Sequence, residues 1–230
     1  MDTENAPILI SEQVSRDYGS GKNIVRALRD ASIKVDQGQL VILRGRSGSG
    51  KTTLLNILAG LDQPTSGKVI FNHKDLYALS SEQRDEFRQK DISIIFQSHA
   101  LIPFMSAYEN VEFGLRIAKI PVQERRKYAE EALTFVGLKE RMHHRPDEMS
   151  GGEQQRTSIA RAIACKPKVI LADEPTAELD TKMGLQIMKL FKDLIEKEQV
   201  GIIMTSHDPA MLDIADQVYT LEDGEIIEAV

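Results

Sequence analysis

Cysteine is nearly missing from this sequence, and that sets the first constraint. A single residue, Cys165, leaves no partner for an internal disulfide and suits a reducing compartment. It stands among Ala162, Ile163 and Ala164, so packing is expected of it rather than reactivity. Long hydrophobic runs are missing too. No apolar stretch approaches the ~20 residues that span a bilayer. The opening Met1-Asp2-Thr3-Glu4-Asn5 is acidic and has no apolar centre, so it does not read as a signal peptide. A cytoplasmic chain is expected, with any membrane-spanning part supplied by another polypeptide. Positive charge is also short. The formal net charge is −6 with no long basic run, which argues against nucleic acid as the main partner. There is no internal repeat, heptad run or low-complexity tract. What remains is a 230-residue chain, 41% apolar and 28% charged, large enough for one domain with an inserted subdomain.

The chain is organised around Gly45-Arg46-Ser47-Gly48-Ser49-Gly50-Lys51-Thr52-Thr53, which fits the phosphate-loop pattern G-x-x-x-x-G-K-[ST]. Leu40-Val41-Ile42-Leu43 before it reads as a buried strand. Leu54, Leu55, Ile57, Leu58 and Ala59 after it suit a packed helix ending near Gly60. In that context the glycines let successive N–H groups turn inward onto phosphate oxygens, and the helix adds its positive end. Lys51 is placed for the β- and γ-phosphates and the Thr52 hydroxyl for Mg²⁺.

A second strand, Val169-Ile170-Leu171-Ala172, ends in Asp173-Glu174. Ligands of parallel sheets gather at such carboxyl ends. Adjacent residues leave a strand on opposite sides. Asp173 is therefore expected at Mg²⁺ and Glu174 at an attacking water. Gln97 and His207 end two further strands, the first able to touch metal and water, the second to donate to a γ-phosphate. Tyr18 lies on the turn Asp17–Lys22, where an aromatic face can stack a purine. On position alone, each of these three reads first as an ordinary turn, strand-end or surface residue.

Met149-Ser150-Gly151-Gly152-Glu153 precedes a helix bearing Ile159, Ala160, Ile163 and Ala164. Ser150 with Glu153 fits a capping box, yet adjacent glycines weaken a helix start unless something approaches the backbone closely. Two anion-binding helix starts with one metal site suggest a symmetric dimer in which each copy completes the other's site.

Along the chain, short alternating strands occupy residues 8–35, and Val69-Ile70-Phe71 reads as another strand followed by a polar segment. Residues 98–165 read as a helical insertion, with Pro121 and Gly137 bounding its best helix. Alternating strands and helices follow, and Asp223-Gly224 marks a hairpin. The fold class is α/β: a mostly parallel core sheet, an N-terminal antiparallel β layer and an inserted α-helical subdomain. One domain is expected over 1–230, its core from 1–97 and 166–230.

As an ordered set these motifs resemble the ATP-binding subunit of ABC transporters, over essentially the whole chain. GRSGSGKTT is similar to Walker A, VILADE (169–174) to Walker B with its catalytic glutamate, and MSGGE (149–153) to the family signature. Phe96-Gln97 resembles the Q-loop, Ala177-Glu178-Leu179-Asp180 the D-loop, Ser206-His207-Asp208 the switch histidine, and Tyr18 the adenine-stacking aromatic. ILADEPT and GLDQPTSG are most similar to the macrolide-export and lipoprotein-release branch. The resemblance implies a P-loop NTPase fold and ATP hydrolysis with Mg²⁺. It implies a head-to-tail homodimer in which Ser150, Gly151 and Gly152 of one copy meet the γ-phosphate held by the other, with Asp180 across the seam. It further implies an integral-membrane permease partner at the inner face of the cell membrane. Two other readings share the motif set: a regulator gating a cell-wall hydrolase, and a soluble ATPase of DNA repair or translation. The sequence departs from the family pattern at Glu153, where glutamine is usual, and at Ala177, where serine is frequent; Glu178 adds charge near the seam.

Overall fold

The computed structural model describes residues 7–177 and 179–230, so the acidic opening and Glu178 lie outside the described residues. In chain order, β1 (Leu9–Tyr18) and β2 (Val25–Val35) form a hairpin, and β3 (Leu40–Arg44) runs through the phosphate loop into α1 (Lys51–Leu58). Then come β4 (Ser66–Phe71), β5 (Lys74–Asp75), α2 (Ser81–Lys90) and β6 (Ile92–Ile95). Three helices follow: α3 (Ala107–Ile117), α4 (Val122–Phe135) and α5 (Gly151–Ile163). The chain returns through β7 (Val169–Ala172), α6 (Thr181–Glu198), β8 (Gly201–Thr205) and α7 (Pro209–Leu212), and ends in the hairpin β9 (Gln217–Glu222) and β10 (Glu225–Ala229).

Two sheets result. The larger has the order β10-β9-β3-β8-β7-β6, parallel from β9 to β6, with β10 antiparallel at one edge. The smaller is antiparallel, in the order β2-β1-β4-β5. Strand alternation divides the core in two. Ile42, Ile170, Ile202 and Met204 face the helical side with α3 to α6. Val41, Leu43, Leu171 and Ile203 face α1 and the antiparallel layer. A parallel strand covered on both faces has to be apolar throughout, which is why β3, β7 and β8 read as short unbroken runs.

β3, β8 and β7 are neighbours, so their carboxyl ends bring the phosphate loop, His207 and the Asp173–Glu174 pair to one place. The β9–β10 turn has positive φ at both Asp223 (45°) and Gly224 (85°), as a two-residue hairpin loop demands. The polar stretch after Phe71 carries α2, which the sequence pattern does not reveal. Its only buried residue is Phe87, so it has no apolar stripe. A capping box between Ser80 and Gln83 starts it instead. Cys165 is half-buried with its thiol 3.5 Å from the Ser93 hydroxyl, and burial pushes its pKa up, away from a reactive thiolate.

Candidate active site

The phosphate loop is shaped by contacts distant in sequence. A side chain at Gly45 (φ 153°) would meet the Leu221 carbonyl at 2.2 Å, and one at Gly50 (φ 108°) the Ala27 carbonyl at 2.5 Å. Only glycine serves at both points. The Gly224 N–H donates to the Ser49 carbonyl at 3.1 Å, so the terminal hairpin walls the loop. Arg46, Ser47 and Gly48 form its exposed tip, and Thr53 is half-buried in the first turn of α1. Lys51 is buried, and its ammonium donates to the carbonyls of Gly45 (2.7 Å) and Arg46 (3.0 Å). The lysine therefore lies folded against the loop, its charge held at the loop's own carbonyls.

Thr52 Oγ1 donates to Asp173 Oδ2 at 2.9 Å. This hydroxyl–carboxylate pair is the hard oxygen donor set that a small divalent cation takes. Among the described residues no group of three or more His, Cys, Asp and Glu could hold a metal alone. The pair fits Mg²⁺, which would still need further oxygen ligands from outside these two residues. Glu174 Oε1 lies 3.0 Å from His207 Nε2. The two carboxylates do take different directions, but strand alternation is not the cause. Glu174 has φ 47°, so the chain has already left the strand, and its amide donates to Thr205 Oγ1 at 2.7 Å. The sequence pattern does not single out Thr205; its one signal is a polar residue closing an otherwise apolar strand.

Tyr18 is the last residue of β1 and partly exposed. Its hydroxyl donates to Asp62, and the Arg16 guanidinium covers one ring face at 4.5 Å. Arg16 makes two hydrogen bonds to Asp62, Nε to Oδ2 at 3.0 Å and Nη2 to Oδ1 at 2.6 Å. Asp62 follows α1, so this clamp ties the aromatic to the phosphate-loop helix.

Ser150 caps α5, and a full capping box forms with Glu153. Ser150 and Gly151 are exposed, whereas Gly152 is buried against Met183 of α6. The close approach expected at these glycines is thus met at Gly152 by a flexible side chain of the same chain. Gly151 faces open space. Glu153 turns back on the helix start, accepting from Ser150 N at 2.8 Å and from Ser150 Oγ at 3.0 Å, with Arg141 3.5 Å away. The Ser150 backbone hydrogen bond is the main reason its carboxyl sits below the usual range.

A prediction follows for this cap. The folded value is depressed, so the contribution of Glu153 is complete above the ordinary carboxylate pKa of about 4.3. It is lost as pH falls through the lower folded value. Glu153→Ala should cost about 1 kcal/mol at neutral pH. In melting curves taken on acidification, wild type should lose stability faster than Glu153→Gln, whose amide cannot titrate. Parallel curves would disprove the account.

Asp180 caps α6 by accepting from Met183 N at 2.9 Å. Gln97 is exposed in the turn after β6, and no hydrogen bond among the described residues joins it to Thr52 or Asp173. The segment beyond it is fastened to α5: Arg161 donates to the carbonyls of His99 (2.9 Å) and Ala100 (2.5 Å), and His99 Nδ1 meets Gln155 Oε1. Buried Asn110 then shapes the next turn, accepting from Ile102 N at 2.8 Å and donating to the carbonyls of Ile102, Met105 and Ser106. Pro103 and Phe104 are left facing outward, with Phe104 72% exposed.

A phosphate loop on a parallel sheet, facing an Asp–Glu pair and a histidine at neighbouring strand ends, defines a phosphate-loop ATPase. The profile of the ABC transporter family matches residues 28–177, and the chain belongs to that family as one of its ATP-hydrolysing cassettes. It is 44% identical over 209 residues to an uncharacterized ABC transporter ATP-binding protein of Thermotoga maritima, covering 91% of this chain and 89% of that one. It is 39% identical to the lipoprotein-releasing system ATP-binding protein LolD of Saccharophagus degradans, covering 96% of each. It is 40% identical to the macrolide export ATP-binding/permease protein MacB of Bartonella henselae, covering 96% of this chain and 33% of that longer protein. A solved dimeric structure of the ATP-binding cassette MJ0796, in a post-hydrolysis state with ADP and Pi, superimposes with a TM-score of 0.89 at 36% identity, covering 96% of this chain and 97% of that one.

Proposed function

We propose that this chain powers a membrane exporter or extractor, with ATP drawing two copies together and a permease at the inner face of the cell membrane receiving the motion. The observation that most supports this is the division of the anion-binding parts. The phosphate loop belongs to the core sheet, while the exposed helix start at Ser150 and Gly151 belongs to the helical layer. The dimeric relative holding ADP and Pi supports the same pairing here. In this reading Ser150, Gly151 and Gly152 of one protomer meet the γ-phosphate bound by its partner, and Asp180 lies at the seam.

Lys51 and the N–H groups of residues 45–53 hold the phosphates, and Tyr18 stacks the adenine on the ring face opposite Arg16. Thr52 and Asp173 hold Mg²⁺, with Gln97 able to add an amide oxygen. When bound, Mg²⁺ neutralises charge developing on the phosphate oxygens. Glu174 takes the proton of the attacking water, and His207, 3.0 Å from it, fixes that carboxylate and faces the γ-phosphate. Loss of the γ-phosphate contacts reopens the pair.

Among the described residues no helix is long and apolar enough to cross a membrane. The Asn110-shaped turn presenting Phe104 is the patch suited to a permease contact. The names of the MacB and LolD relatives, macrolide export and lipoprotein release, support a hydrophobic or amphipathic cargo, a class in which we place macrolides, peptides, lipoproteins and haem. A photo-crosslinker at Phe104 should capture the co-purified permease in membranes. Labelling confined to the ATPase's own chain would refute this docking surface.

A further inference from the structure

We infer that Thr205 is a positioning residue for hydrolysis, setting which oxygen of Asp173 faces the cation and holding the backbone from which Glu174 projects. The inference rests on the roles proposed above for Asp173 and Glu174. Thr205 ends β8 and is wholly buried. Its hydroxyl has one proton, and that proton goes to Asp173 Oδ1 at 2.8 Å. The same oxygen accepts the Glu174 amide at 2.7 Å. One hydroxyl thus joins the side chain of one acidic residue to the main chain of the next.

The geometry explains why a hydroxyl is needed. Asp173 N–H still donates to the Ile95 carbonyl of β6, so the sheet pattern persists to that residue. At Glu174 the chain turns into a left-handed conformation, φ 47°, which costs a bulky residue energy and is kept only where surroundings enforce it. The turn takes the Glu174 amide out of the ladder, and a buried N–H with no partner is expensive. Thr205 supplies the partner. It also occupies Asp173 Oδ1, leaving Oδ2 toward Thr52 at 2.9 Å, the side on which the cation fits. Thr205 pairs with Leu43 of β3, and Ser206 N donates to the Leu43 carbonyl at 3.2 Å, so the same point is registered to the strand carrying the phosphate loop.

The test compares Thr205→Val, which keeps the shape and removes the hydroxyl, with Thr205→Ser, which restores it. Hydrogen-bonded supports of metal ligands are worth about 10- to 100-fold in activity or metal affinity. Thr205→Val should lower kcat by about that factor with KM for ATP unchanged. Independently of turnover, the Mg²⁺ concentration giving half of the ATP-dependent rise in melting temperature should increase about tenfold. Thr205→Ser should return both readings toward wild type. Should Thr205→Val not fold, Thr205→Ala takes its place in the comparison. A folded variant without the hydroxyl but with wild-type kcat and Mg²⁺ midpoint would overturn the inference. Glu174→Gln separates the two levels: if it is inactive while Thr205→Val is unaffected, only the role of Thr205 fails; if Glu174→Gln retains full turnover, the underlying reading fails.

Discussion

Glu174→Gln should lower ATP turnover by about 10²- to 10⁴-fold, the range that a positioned general base supplies. Glutamine matches glutamate in shape, and its amide oxygen can still accept from His207 Nε2, now 3.0 Å from the carboxylate. The Glu174 amide keeps its bond to Thr205, so the left-handed backbone is retained. What disappears is basicity. In the proposed arrangement the phosphate loop, not this side chain, binds the nucleotide, so ATP affinity should remain and the nucleotide-bound state should accumulate. Size-exclusion chromatography with light scattering should then find a stable dimer in ATP and Mg²⁺ that wild type forms only transiently. Wild-type turnover in this variant would refute the assignment of the base.

Lys51→Ala should act earlier, on binding itself. In this structure the ammonium already makes two hydrogen bonds to loop carbonyls, at 2.7 and 3.0 Å, so it shapes the loop as well as charging it. Hydrogen bonds to charged groups contribute about 1.5–3 kcal/mol. That corresponds to about a 10- to 100-fold weaker ATP affinity. A titration with fluorescent ATP should show this loss and turnover should fall with it. An unchanged affinity would count against the role of the loop lysine.

Much of this was legible in the residues. The buried strands announce themselves as unbroken apolar runs because both faces of the sheet are covered. The phosphate loop is legible because the steric demands at Gly45 and Gly50 admit no side chain. The hairpin at Asp223–Gly224 is legible for the same backbone reason. Helix α2 is not, because its single buried residue leaves no periodic pattern, and only its cap betrays it. The clamp on Tyr18 joins residues 44 and 46 positions apart, and Thr205 reaches Asp173 across 32. Such pairs form only once strands are placed side by side, so composition and spacing are silent about them. Glu153 is intermediate: its capping box is visible as S-x-x-E, but the direction of its carboxylate, back onto Ser150, is set only by the folded helix start.

The bonds around Arg161 and Asn110 have a mechanical consequence. Arg161 holds the carbonyls of His99 and Ala100, and Asn110 fixes the bend from Ile102 to Ser106, so the backbone on both sides of Leu101 is fastened. Helix α5, which starts at the exposed signature serine, is strapped to the same stretch through Gln155 and Arg161. If nucleotide tilts that helix in the proposed dimer, the same bonds would carry residues 99 and 100 with it, and the outward phenylalanine four positions on is the first exposed large apolar side chain to register the stroke.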